Sequence, residues 1–158
     1  MVFPVVLLYS ISSGAHLTAV LTLKAAELRL PNPFTIQLLI APVLDNTIDG
    51  SRRWESVSQV PTLGPDAVRY YQRNFLPNEE DRNKWDASPM LAPKELMSKA
   101  PKTWIGVMEV DILKPEGEAY GVKLAEAGVD VETVVYKGAP HAAMTMTSKL
   151  FSITLLHQ

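Results

Sequence analysis

Val5-Val6-Leu7-Leu8-Tyr9-Ser10-Ile11-Ser12-Ser13-Gly14-Ala15-His16-Leu17 is the stretch from which the fold is read. Residues 5–9 form an unbroken apolar run, β-branched at its start, as expected of a strand in a parallel sheet covered on both faces. The run ends in small polar residues, Ser10, Ser12, Ser13 and Gly14, that suit a tight turn. Beyond Gly14, Leu17, Val20, Leu21 and Leu28 recur at helical spacing. Lys24, Glu27 and Arg29 take the other face, and Pro31 closes the segment. Strand, turn and helix in that order form the repeating unit of an α/β sheet.

The pattern repeats outward from there. Residues 36–43 read as a second strand, with Pro42 at its exposed end because proline cannot donate to a ladder. Residues 45–101 are polar and rich in proline and aromatics (Trp54, Tyr70, Tyr71, Phe75, Trp85), with one clear helix from Pro65 whose Val68, Tyr71 and Phe75 should face inward. A helical, lid-like insertion at about 46–102 is expected. Residues 104–110 make a third strand, and Pro115 opens a helix that runs to Ala127 and is capped by Gly128. Residues 129–136 alternate as a fourth strand near a sheet edge, and a last helix should start at about Thr145. The expectation is a single α/β domain over residues 1–158, built on a mostly parallel sheet.

Composition narrows the function classes. With 158 residues and 47% hydrophobic side chains, the chain can bury a sizeable core. A formal net charge of -2, scattered along the sequence, forms neither a basic stripe for nucleic acid nor a polybasic membrane patch. No cysteine is present, and three isolated histidines do not make a metal-ligand cluster, so neither metal nor cofactor is expected. Residues 1–23 carry no charge, which raises the question of a signal peptide or membrane anchor. A positive leading region is missing, and Pro4 with the serine cluster breaks the apolar run, so a buried strand and helix in a cytoplasmic protein is the expectation.

Active sites of parallel sheets gather at the carboxyl ends of strands, which directs attention to the residues that follow each one. After the first comes Ser10-Ile11-Ser12-Ser13-Gly14, a variant of the G-x-S-x-G nucleophile elbow with Ser10 in place of the first glycine. After the third comes Asp111, followed by Ile112 and Leu113. After the fourth comes the turn-rich loop Lys137-Gly138-Ala139-Pro140-His141. Taken singly, a serine cluster is more often a helix cap, an aspartate a cap or surface group, and a loop histidine a solvated one. Together they lie on one sheet edge in the order Ser, Asp, His, the order of a hydrolase triad on such a sheet. His16, inside the first helix, reads as a packing or hydrogen-bonding residue.

Several segments together resemble the hormone-sensitive-lipase-like branch of the α/β-hydrolases. Ser12-Ser13-Gly14-Ala15-His16-Leu17-Thr18-Ala19 resembles that family's serine elbow, and Gln37-Leu38-Leu39-Ile40-Ala41-Pro42-Val43-Leu44-Asp45 its next strand. Asn74-Phe75-Leu76-Pro77, Ala87-Ser88-Pro89-Met90-Leu91-Ala92 and Asp111-Ile112-Leu113-Lys114-Pro115-Glu116-Gly117-Glu118-Ala119-Tyr120 resemble its lid and acid segments. Tyr136-Lys137-Gly138-Ala139-Pro140-His141 resembles its histidine loop. The resemblance implies hydrolysis of carboxylic esters, of short to medium acyl chain or lactone-like, by a lipase-like or esterase mechanism, and the aromatic residues of the insertion suggest a small apolar ligand. Ser12 would be the nucleophile, His141 the base, Asp111 the acid and the Ser13 backbone N–H an oxyanion donor.

The departures from the family pattern are Ser10 for glycine, Ile11 for an acidic residue, Ala15 for glycine, and Ala142 and Ala143 after the histidine. The likeness covers only the carboxyl-terminal half of the family and does not include its HGGG oxyanion loop. Two expectations follow. The chain is either an ester hydrolase or a catalytically impaired, truncated one serving as a binding or assembly protein, with a lactone-forming or isomerising enzyme as a third reading. Its first strand should be an open edge, paired in a homo-oligomer or with a partner chain that supplies the missing half-sheet.

Overall fold

The computed structural model describes residues 6–30, 34–48, 61–141 and 143–145. Four parallel strands, β1 (Leu7–Ile11), β2 (Ile36–Ile40), β3 (Lys102–Val110) and β4 (Val131–Pro140), form one sheet in the order β1-β2-β3-β4. Helix α1 (Ser13–Glu27) links β1 to β2, and α4 (Lys114–Glu126) links β3 to β4. Between β2 and β3 lies the insertion, with α2 (Pro65–Phe75), 3-10 turns at Glu79–Asn83 and Pro89–Leu91, and the short α3 (Lys94–Met97). Alternation of strand and helix has thus produced the expected α/β sheet, with each crossover long enough to return the chain parallel.

The main core lies where α1 and α4 pack on the sheet. Ala15, Ala19 and Leu23 of α1, Leu39 and Ile105 of the strands, and Tyr120 and Leu124 of α4 are buried together with Met90 and Met97 of the insertion. Gly117 lets α4 come close, since a Cβ there would lie 2.6 Å from Val107 Cγ1. A polar thread crosses this core: Gln37 sits between Thr22 Oγ1 at 3.0 Å and Thr103 Oγ1 at 2.9 Å, so its buried amide is partnered on both sides.

Four expectations are corrected. The first strand is, among the described residues, the open edge expected, but it is not covered on both faces: Leu7 is 47% and Tyr9 66% exposed. The second strand stops at Ile40, where Ala41 turns at φ 43, so Pro42 lies beyond the ladder. In α2, Val68 points inward against Ile112 and Leu113, but Tyr71 and Phe75 are 62% and 56% exposed and Gln72 is buried instead. The residues before His141 are not a loop: β4 continues through Lys137 to Pro140.

Much of the insertion is built into the domain. Asn46 donates from its backbone to Ser88 Oγ at 2.9 Å and from Nδ2 to the Ala87 carbonyl at 2.6 Å. Met90 N–H reaches the Leu44 carbonyl, and Lys123 Nζ of α4 reaches the Met90 carbonyl, each at 2.9 Å. Trp54 and the helix expected beyond Thr145 lie outside the described residues. Among the described residues, no helix is long and apolar enough to cross a membrane.

Candidate active site

The turn between β1 and α1 is strained at one residue. Ser12 has φ 56 and ψ −120, a region that residues with a Cβ seldom occupy, and its N–H is held by the Ile40 carbonyl at 2.9 Å. Such a turn presents the side chain at the end of the strand. It also sets Ser13 as the first residue of α1, where the backbone N–H has no intrahelical acceptor and the helix dipole favours negative charge.

Ser10 closes the turn from below. Its hydroxyl lies 2.9 Å from Thr18 Oγ1, one turn into α1. A Cβ on Gly14 would come within 3.1 Å of Ser10 Cβ, so a side chain at position 10 is tolerated because position 14 has none.

The three residues expected to work together do meet. His141 Nε2 lies 2.9 Å from Ser12 Oγ, and its Nδ1 lies 2.8 Å from Asp111 Oδ2. Asp111 is fully buried as a side chain, and its other oxygen accepts the Leu113 N–H at 3.0 Å. A carboxylate only accepts, so the proton sits on Nδ1 and leaves Nε2 free to accept from the serine hydroxyl. The contacts join residues 129 and 30 positions apart, brought together by the ends of β1, β3 and β4.

Two neighbours complete the site. His16, on the first turns of α1, is buried with Nδ1 3.1 Å from the Val43 carbonyl and its ring edge-to-face with Phe75 at 5.6 Å. Burial holds its pKa below the ordinary 6.5, with the Val43 hydrogen bond opposing, so it is a neutral packing residue as expected. Glu109 accepts the Gly138 N–H at 2.7 Å and Lys137 Nζ at 3.1 Å, which together hold its carboxyl below the ordinary range. Its contacts run to β4 and not to the His141 ring. Sequence reasoning missed this contact, although a glycine inside a strand pattern is the ordinary mark of a bulge.

Residues 5–145 match the family model described as alpha/beta hydrolase fold. The chain belongs to the α/β-hydrolase family. Within this family its relatives include an AB hydrolase superfamily protein of Schizosaccharomyces pombe, 35% identical over 143 residues, which are 88% of this chain and 42% of that protein. An esterase of Fusarium pseudograminearum is 33% identical over 132 residues, 83% of this chain and 40% of that one. Among solved α/β-hydrolases, carboxyl esterase 2 of the mycorrhizal fungus Tuber melanosporum superposes with a TM-score of 0.84 at 27% identity, covering 95% of this chain and 51% of that one. These matches agree with the hormone-sensitive-lipase-like, carboxylesterase branch that the motifs resemble. The chain spans well under half the length of the two relatives and about half of the solved esterase.

Proposed function

We propose that this chain carries the catalytic residues of a carboxylic ester hydrolase, with Ser12 as nucleophile, His141 as general base and acid, and Asp111 as the group that orients and stabilises the imidazolium. The observation that carries the reading is the continuous Ser12–His141–Asp111 relay, with contacts of 2.9 and 2.8 Å, set on a strained strand-to-helix turn. Ser12 Oγ attacks the ester carbonyl as its proton passes to His141 Nε2, and the oxyanion faces the Ser13 N–H at the start of α1. Collapse expels the alcohol, which takes the proton from His141 and leaves an acyl-Ser12. Water then gives a proton to His141 and its oxygen to the acyl carbon; the acid departs as Ser12 recovers its proton.

Small esters with apolar acyl groups are the proposed substrates. Phe75 on α2, exposed and lying against His16 of the elbow helix, supports this class. A fluorophosphonate probe tests the reading, because it labels an activated serine and ignores an ordinary one. Labelling at Ser12, abolished in Ser12→Ala, is the expected result; an unlabelled parent would exclude an activated Ser12.

The second reading, a catalytically impaired hydrolase acting as a binding or assembly protein, draws on the exposed apolar edge at β1. It predicts a folded chain that ignores the probe.

A further inference from the structure

The path of β4 toward His141 is irregular. The ladder between β3 and β4 runs in register from Thr103↔Val131 to Met108↔Tyr136, and the next pair is Val110↔Pro140. One residue of β3, Glu109, therefore opposes three of β4, namely Lys137, Gly138 and Ala139. Gly138 takes φ +65 there, a conformation that side-chain-bearing residues rarely adopt. Re-entry into the ladder falls on Pro140, which has no N–H to donate. Backbone pairing alone gives this segment little hold, yet His141 follows it directly and meets both Asp111 and Ser12 within 2.9 Å.

The Glu109 side chain supplies what the ladder lacks. One carboxylate oxygen accepts the Gly138 N–H at 2.7 Å, and the other accepts Lys137 Nζ at 3.1 Å. Donors on two successive bulge residues thus converge on one group fixed in β3, two positions before the acid Asp111. Charge-assisted bonds of this kind are shorter and stronger than neutral ones. Lys137 of β4 and Lys114 at the start of α4 are the cations that face it, and the carboxylate is ionised at neutral pH.

We propose that Glu109 is a positioning residue: it clamps the β4 bulge and so sets where the His141 imidazole stands between Asp111 and Ser12. This inference rests on the hydrolase reading for its catalytic consequence, but the clamp is a structural claim of its own. Glu109 takes no proton in the reaction and touches no reacting atom. Its loss would let the bulge relax and move the base, and displacements of about 1 Å can cost on the order of 10²-fold in rate.

The experiment compares the full chain with Glu109→Ala and Glu109→Gln. Turnover of p-nitrophenyl acetate is expressed per serine titrated with fluorophosphonate, so a merely unstable variant loses titratable sites but not rate per site. In Glu109→Ala, kcat per titrated serine should fall about 10- to 100-fold with KM within about twofold. Glu109→Gln keeps an oxygen for the Gly138 N–H and should recover most of that loss. By NMR, the Gly138 amide proton of the parent should shift as Glu109 titrates below pH 4.5 and should be indifferent to that range in Glu109→Gln. Unchanged kcat per titrated serine in Glu109→Ala overturns the proposal, as does equal damage in both variants or a Gly138 resonance blind to Glu109. Should the parent fail to label at Ser12, the hydrolase reading falls by itself. The Gly138 resonance and a shift of the His141 imidazole signals in Glu109→Ala then decide the clamp.

Discussion

At the scale of single residues, the two site histidines are prepared for opposite tasks. His141 has a carboxylate on one nitrogen and a hydroxyl on the other, the contacts that its proposed role as base requires. His16 has one carbonyl, an aromatic edge and burial, which oppose protonation. The consequence for stability has a definite sign. Unfolded His16 binds a proton near pH 6.5, whereas the folded residue binds it only at lower pH. Its contribution is therefore intact above pH 6.5, is lost as pH falls through the folded value, and stays constant below it. Urea unfolding at pH 7.5 and pH 5 should show a larger drop for the parent than for His16→Asn. Equal drops would mean that His16 is protonated in the folded protein at no cost.

Elements are held apart or together by what their side chains permit, and α4 illustrates this. It presents Gly117 and Gly121 to the sheet, each with a neighbour 2.6 Å from the position of an added Cβ. At Gly117 that neighbour is a methyl group of Val107, fully buried and stiff at χ1, with Pro42 close behind. At Gly121 it is the hydroxyl of Thr133, an exposed side chain on the edge strand β4 that has more room to give way than the buried valine. Alanine gains about 1 kcal/mol of helix propensity at either site, and a core clash costs about 1–3 kcal/mol. Gly117→Ala should lower unfolding free energy by up to about 2 kcal/mol, while Gly121→Ala should cost less or be close to neutral. Chemical denaturation of the two variants side by side checks this; the reverse order would show that the sheet yields at Val107.

The same comparison shows what was legible in the sequence. Ser12, Asp111 and His141 could be found because each follows a strand and strand ends share one edge in a parallel sheet. Glu109 could be noticed only as an alternative acid near Asp111; its bond to Gly138 depends on a register shift that periodicity does not record. Lys137-Gly138-Ala139-Pro140 read as a loop because glycine and proline usually end strands, whereas here they shape a bulge inside one. In α2, positions three and four apart share a face, so Val68 could be followed inward by Tyr71 or by Gln72. Contact of Val68 with Ile112 and Leu113 turned the helix so that Gln72 is buried and the aromatics face outward.

For the molecule as a whole, the sheet edge is the feature with a consequence. Among the described residues β1 is bonded only to β2, and its Leu7 and Tyr9 are exposed. Leu17 and Leu21 on α1 are exposed as well. Soluble proteins usually guard such edges with charge, yet no charged side chain occurs in residues 1–23. We propose that a second copy of the chain covers this edge, since an open ladder with exposed apolar side chains and no charge favours pairing over solvation. Light scattering on a sizing column at micromolar concentration should then give a mass near twice 17.4 kDa. Leu7→Lys with Tyr9→Lys, which places two charges on the exposed side of β1, should shift the protein toward the single-chain mass. A parent that elutes at 17.4 kDa and melts cooperatively would refute self-association and show that the edge is stable as it stands.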